Sequence, residues 1–218
     1  MWFFVGGVAI VVLIGVIAVF VSRGDGDDRS ETPGATEVAA SVEIEGASLS
    51  PFQPGDDDPA VGEPAPAVAG EDFDGAAVTI GEGGRPQLVV FLAHWCPHCQ
   101  AEVPRIADLA RGGGIPSGVE LVGVATSTTS GRDNYPPSEW LEREGWPGSV
   151  LVDTAGNEAA NAYGLSSFPF FVVLDGEGRV VERQSGELTE DQLRDLVDQA
   201  LRSSSSSTSS TSTTIAGP

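Results

Sequence analysis

Both cysteines of the chain fall in Ala93-His94-Trp95-Cys96-Pro97-His98-Cys99, separated by two residues and directly after the apolar run Leu88-Val89-Val90-Phe91-Leu92. A short run of branched and aromatic residues reads as a strand buried on both faces of a sheet. From Pro97 the pattern turns helical, with Val103, Ile106, Ala107 and Ala110 at spacings of three and four and Gly112-Gly113-Gly114 as a stop. The order is therefore strand, Cys-x-x-Cys, helix. Cys96 then stands at a helix N-terminus, where free N–H groups and the dipole favour a thiolate. Pro97 suits the first helical position. Cys99, one turn on, is placed to close a disulfide with Cys96, which is expected to be the more exposed, attacking sulfur. His98 adds a titratable charge beside it. A thiolate so stabilised attacks a disulfide and leaves a mixed disulfide readily, which is the exchange reaction.

An isolated Cys-x-x-Cys also suits half a zinc site or a structural bridge. The only histidines, His94 and His98, flank the dithiol and do not complete a tetrahedron with it, so no metal is expected. A bridge across so short a loop staples little. The redox reading stands first, with no cofactor beyond the redox-active pair Cys96–Cys99. His94 reads as a strand-end residue with a solvated ring.

Trp95-Cys96-Pro97-His98-Cys99 resembles the active site of the thioredoxin superfamily, and Cys99-Gln100-Ala101-Glu102-Val103-Pro104 resembles the Cys-x-x-Glu-x-Pro continuation of its TlpA-like and ResA-like branch. Those are membrane-anchored thiol-disulfide oxidoreductases of the bacterial cell envelope. The resemblance implies proton transfer for Glu102, a helix-kinking role for Pro104, and a cis-proline facing the dithiol at Phe168-Pro169. It also implies a substrate-docking edge of Trp95, Pro97 and Phe168 with Pro169. Gly62-Glu63-Pro64-Ala65-Pro66 is similar to the entry of redoxin domains.

The chain has 218 residues and a formal net charge of -21, with no basic stripe for nucleic acid. Residues 2–22 form an apolar stretch long enough to span a bilayer, read as a transmembrane anchor held in the lipid through residues 2–21. Arg23 and Arg29 follow it, and the positive-inside rule alone places the following domain in the cytoplasm. The envelope location implied by the resemblance places it outside, and that is the expectation: a single-pass membrane protein with an extracytoplasmic catalytic domain. Residues 24–75 carry 14 acidic residues against Arg29 alone. Composition of that kind reads as unfolded, so residues 23–60 are expected to be an acidic disordered tether with a span of roughly 35 Å. Val42-Glu43-Ile44-Glu45 alternates but reads first as a solvated charge run.

The domain is expected over residues 61–202. Phe73 to Ile80 reads as a first hairpin, Val119 to Ala125 as a second central strand, and Ser138 to Glu142 as a short helix capped by Ser138. A strand at Ser149–Asp153 and a helix at Glu158–Tyr163, ended by Gly164, complete an insertion. Phe170–Leu174 and Arg179–Arg183 form a hairpin. The last helix is capped by Thr189, and residues 203–218, nearly all Ser and Thr, read as a disordered tail.

The expected fold is α/β and thioredoxin-like, a central mixed β-sheet flanked by helices and preceded by one transmembrane helix. The expected activity is disulfide exchange with exported protein thiols and disulfides, sustained by a membrane redox partner. Pro97-His98 is the dipeptide of the strong oxidant DsbA, at about −120 mV against about −270 mV for thioredoxin. A histidine charge near the thiolate stabilises the reduced form, so the expectation leans to an oxidant. The alternative is a TlpA-like or ResA-like reductant in cytochrome c maturation. A non-catalytic binding module on the same fold is the reading from a different class.

Overall fold

The computed structural model describes residues 35–55 and 57–207. In chain order it contains β1 (Glu43–Glu45), β2 (Ala67–Glu71), β3 (Ala77–Ile80), β4 (Gln87–Leu92), α1 (Pro97–Arg111) and β5 (Glu120–Ala125), then α2 (Pro137–Glu144), β6 (Ser149–Val152), α3 (Glu158–Ala162), β7 (Phe170–Leu174), β8 (Val180–Ser185) and α4 (Glu190–Ser207). The expected span at residues 2–22, the start of the acidic stretch and the tail beyond Ser207 lie outside the described residues. Among the described residues no helix is long and apolar enough to cross a membrane.

Five strands form the main sheet in the order β6-β5-β4-β7-β8. β4, β5 and β6 run parallel, β7 runs antiparallel to β4, and β8 runs antiparallel to β7. The apolar run of β4 is central, and its alternate side chains feed two separate cores. Leu88, Val90 and Leu92 pack with Val103, Ile106 and Leu109 of α1, Trp140 and Leu141 of α2, and Leu193, Leu196 and Val197 of α4. Val89 and Phe91 face the other way, onto Tyr163, the alanines of α3, and Val68, Val78 and Ile80 of the smaller antiparallel sheet β1-β2-β3. The second face is thus covered by one short helix and a small sheet, where helices were expected on both sides.

Residues 35–60 differ from the expected tether. Leu49 and Phe52 are buried in the second core. Arg183, buried on β8, holds Asp58 through two hydrogen bonds of 2.6 and 2.8 Å and also donates to the carbonyls of Ser50 and Tyr163. The backbone of Leu49 and Phe52 bonds to Ala162 and Gly164 at the end of α3. Glu43–Glu45 forms β1, a strand exposed along its length that pairs antiparallel with β2. Composition averages over such a stretch, whereas a few apolar anchors and one buried ion pair are enough to seat it.

Two helix ends also depart from expectation. α2 starts at Pro137 after Pro136, and Ser138 lies inside its first turn with its amide and hydroxyl both donating to the Glu37 carboxylate. A side chain 101 positions away therefore caps this helix. α4 continues to Ser207, so residues 203–207 are helical, with the Ser203 hydroxyl donating to the Ala200 carbonyl at 2.9 Å. Thr189 does cap α4, its hydroxyl accepting from the Gln192 amide while Gln192 Oε1 accepts from the Thr189 amide.

Candidate active site

β4 delivers the dithiol to its own C-terminal end. The Cys96 amide donates to the Ala93 carbonyl at 2.9 Å, which turns the chain out of the strand, and the Gln100 amide donates to the Cys96 carbonyl at 3.0 Å to open α1. Cys96 is the N-cap in an extended conformation and Pro97 is the first helical residue. Neither cysteine is in a disulfide; Cys96 keeps 7% exposure and Cys99 none. The more open sulfur is thus Cys96, as the junction predicts. Burial pushes the Cys99 thiol well above its usual range, and the nearby Cys96 sulfur and Glu102 charge add to that rise against the Ala93 backbone bond.

Glu102, one turn beyond Cys99, is fully buried. Its Oε2 accepts from the Leu188 amide at 3.1 Å and from Arg105 Nη1 at 3.0 Å, while Oε1 is buried without a hydrogen-bond partner. Burial raises its carboxyl above the usual carboxylate range, because the Leu188 and Arg105 bonds only partly offset the lost solvation. Glu102 is therefore not a solvated surface acid. Pro104 lies inside the same helix.

His98 and His94 occupy opposite situations. The His98 side chain is 64% exposed, and its Nδ1 lies 2.6 Å from Glu187 Oε1. Glu187 Oε2 also takes Arg105 Nη2 at 2.9 Å. The hydrogen bonds from His98 first and Arg105 second hold the Glu187 carboxyl below its usual range. His94, expected to be solvated, is 1% exposed. Its Nδ1 donates to the Asp133 carbonyl at 2.8 Å, and its Nε2 accepts from the Thr129 amide at 3.2 Å, which fixes a neutral imidazole with the proton on Nδ1. The ring pins the long polar loop between β5 and α2 against the strand end.

The same loop shapes the surface beside Cys96. Trp95 donates from Nε1 to the Ser127 carbonyl at 2.9 Å, meets Phe168 edge-on at 6.1 Å, and carries the exposed Arg132 guanidinium 4.8 Å above its ring. The Phe168–Pro169 peptide is cis as expected, and so is Tyr135–Pro136. Phe170 stands opposite Phe91 in register, so Pro169 comes to the end of the sheet from which Cys96 projects. Pro97 is exposed on the same rim. Trp95, Cys96, Pro97, His98, Cys99, Glu102, Phe168 and Pro169 therefore gather at one end of the sheet. Sequence reasoning missed Arg105, Arg132 and Glu187. Glu187 is 89 positions from His98 and sits in no motif, so no local signal could have found it. Among the described residues no cluster of side chains suited to a metal ion occurs.

A mixed sheet with a Cys-x-x-Cys at the end of its central strand defines the class. Solved structures share the fold: StoA from Bacillus subtilis superposes with a TM-score of 0.51 at 21% identity, covering 63% of this chain and 98% of that one. A thioredoxin-family thiol:disulfide interchange protein from Chlorobium tepidum TLS gives 0.53 at 24%, covering 67% and 99%. The fold is thioredoxin-like. Residues 60–200 match the Redoxin family model, and the chain belongs to that family. The thiol:disulfide interchange protein HelX of Rhodobacter capsulatus is 31% identical over 144 residues, covering 64% of this chain and 76% of HelX. The thiol-disulfide oxidoreductase ResA of Bacillus anthracis is 25% identical over 138 residues, covering 61% and 74%. The protein is a thiol-disulfide oxidoreductase of this TlpA, ResA and DsbE-like group.

Proposed function

We propose that the protein is a membrane-tethered reductant of protein disulfides outside the cytoplasm, of the kind that keeps apocytochrome c cysteines reduced for haem attachment. The observation that carries the direction is the pairing of His98 with Glu187. The case for an oxidant needs an unopposed imidazolium beside the thiolate, and here a carboxylate lies 2.6 Å from that ring. The similarity to ResA and HelX and the Cys-x-x-Glu-x-Pro pattern support the same direction. The apolar stretch at residues 2–22 supplies the tether, and the family resemblance supplies the side of the membrane.

In the proposed reaction the Cys96 thiolate attacks one sulfur of a substrate disulfide and releases the other as a thiolate. Cys99 must then lose its proton to resolve the mixed disulfide. Burial makes that loss difficult in water's absence, and the unpartnered Oε1 of Glu102 is the acceptor one helical turn away. Both groups are raised, so the transfer is closer to balanced than it would be to an ordinary carboxylate. The Cys99 thiolate attacks Cys96 Sγ and frees the second substrate thiolate. Two electrons have passed to the substrate, and a membrane donor restores the dithiol. Trp95, Phe168, Pro97 and Pro169 form the docking rim, with Arg132 as its cation.

Equilibration of the full chain in detergent against glutathione buffers tests the direction. A potential near that of thioredoxin, about −270 mV, is expected; one near that of DsbA, about −120 mV, overturns the reductant reading. Cys99→Ser should accumulate a mixed disulfide with a substrate peptide, and Cys96→Ser should form none. Exchange that survives both substitutions would return the dithiol to an incidental role on a binding module.

A further inference from the structure

Four ionisable side chains run from the surface toward the dithiol along one side of α1. His98 Nδ1 meets Glu187 Oε1 at 2.6 Å, Glu187 Oε2 accepts from Arg105 Nη2 at 2.9 Å, and Arg105 Nη1 donates to Glu102 Oε2 at 3.0 Å. Glu187 is the only member of this chain of contacts that is not on α1. It lies in the connection between β8 and α4, and the next residue, Leu188, donates its amide to Glu102 at 3.1 Å. One short connection therefore pairs with both His98 and Arg105 and also orients the buried acid.

We propose that Glu187 sets the reduction potential of the Cys96–Cys99 couple by holding the His98 ring at the surface and cancelling its charge. This inference rests on the disulfide-exchange reading of the site. Reduction breaks the Cys96–Cys99 bond; two electrons and one proton give a Cys96 thiolate, favoured by its place at the helix N-terminus, and a Cys99 thiol. Any net positive charge near that sulfur stabilises the reduced side and makes the disulfide more oxidising. His98 occupies the first turn of α1, two residues from Cys96, and a protonated imidazole there supplies such a charge unless an anion pairs with it. Glu187 supplies the anion. It acts through His98 and touches neither sulfur, so it is a positioning residue.

The full chain in detergent is equilibrated against glutathione buffers at pH 6, and the oxidised fraction is read by alkylation and mass shift. Glu187→Gln should shift the equilibrium constant about tenfold toward oxidation of glutathione, equivalent to ~30 mV. The same substitution made in a His98→Asn background should shift it less than twofold. No shift in the parent background, or an equal shift in both, overturns the proposal. Both arms are differences between variants, so they stand or fall independently of the absolute potential that judges the reductant reading.

Discussion

Glu102 is buried deeply enough that its charged form is disfavoured in spite of the Leu188 amide and Arg105. A carboxyl raised on folding binds more protons in the native state than in the unfolded one between the two pKa values. Stability contributed by this group is therefore full below about pH 4.3 and declines as pH rises through the raised native value. Glu102→Gln keeps an acceptor for the Leu188 amide and removes the titration, so its melting temperature should fall less than the parent's between pH 5 and 8. An unchanged slope would mean the carboxyl is solvated. His94 offers a second test at this scale. His94→Leu leaves the Thr129 amide and the Asp133 carbonyl without their buried partner, and the loop they anchor should open more often. The chain has no lysine, so trypsin cuts only after arginine, and cleavage after Arg132 should accelerate by roughly tenfold, the equivalent of about one buried hydrogen bond.

At the scale of elements, the segment before β2 is held to β8 by Arg183, which also stacks 5.5 Å over the Phe52 ring. Arg183 lowers the Asp58 carboxyl well below its ordinary value, so the pair's contribution is present above the unfolded value of about 3.9 and is lost as pH falls toward the native one. Asp58→Ala leaves a buried guanidinium with only carbonyl partners. It should cost about 3 kcal/mol, read from urea midpoints at pH 7, and the difference from the parent should shrink as the pH is taken below 4. α3 is tied down by a similar device. Asp153, buried at the end of β6, accepts from the Ala159 amide at 3.0 Å and the Ala160 amide at 3.2 Å, and from the Thr126 hydroxyl at 2.7 Å. That carboxylate lets a five-residue helix close the second core.

Considered whole, the molecule needs the residues that composition assigns to a tether. Compared with a chain beginning at Ala35, one beginning at Val61 lacks Leu49 and Phe52, whose burial is worth about 3–6 kcal/mol together. It also lacks Asp58 opposite Arg183 and Glu37 at the start of α2. The shorter chain should unfold at a clearly lower denaturant concentration, with Arg183 left facing solvent-filled space. Equal midpoints would mean that residues 35–60 add nothing to the stability of the domain.

The order strand, dithiol, helix was legible in the sequence because each part is written in short-range pattern: a continuous apolar run, a two-residue spacing, a 3.6-residue period and a terminating glycine. The same locality revealed Cys96 as the open sulfur, Pro97 at the helix start and Thr189 as a cap, while the family resemblance marked Pro169 just before β7. Tertiary structure alone decided what surrounds them. His94 became a buried anchor through partners 35 and 39 residues away, and His98 met a carboxylate on a different element. An ionisable side chain's behaviour depends on what lies within a few ångströms of it, and residues distant in the chain supply most of that. The identity of the reactive sulfurs is thus a property of the sequence, whereas their electrostatic setting is a property of the fold.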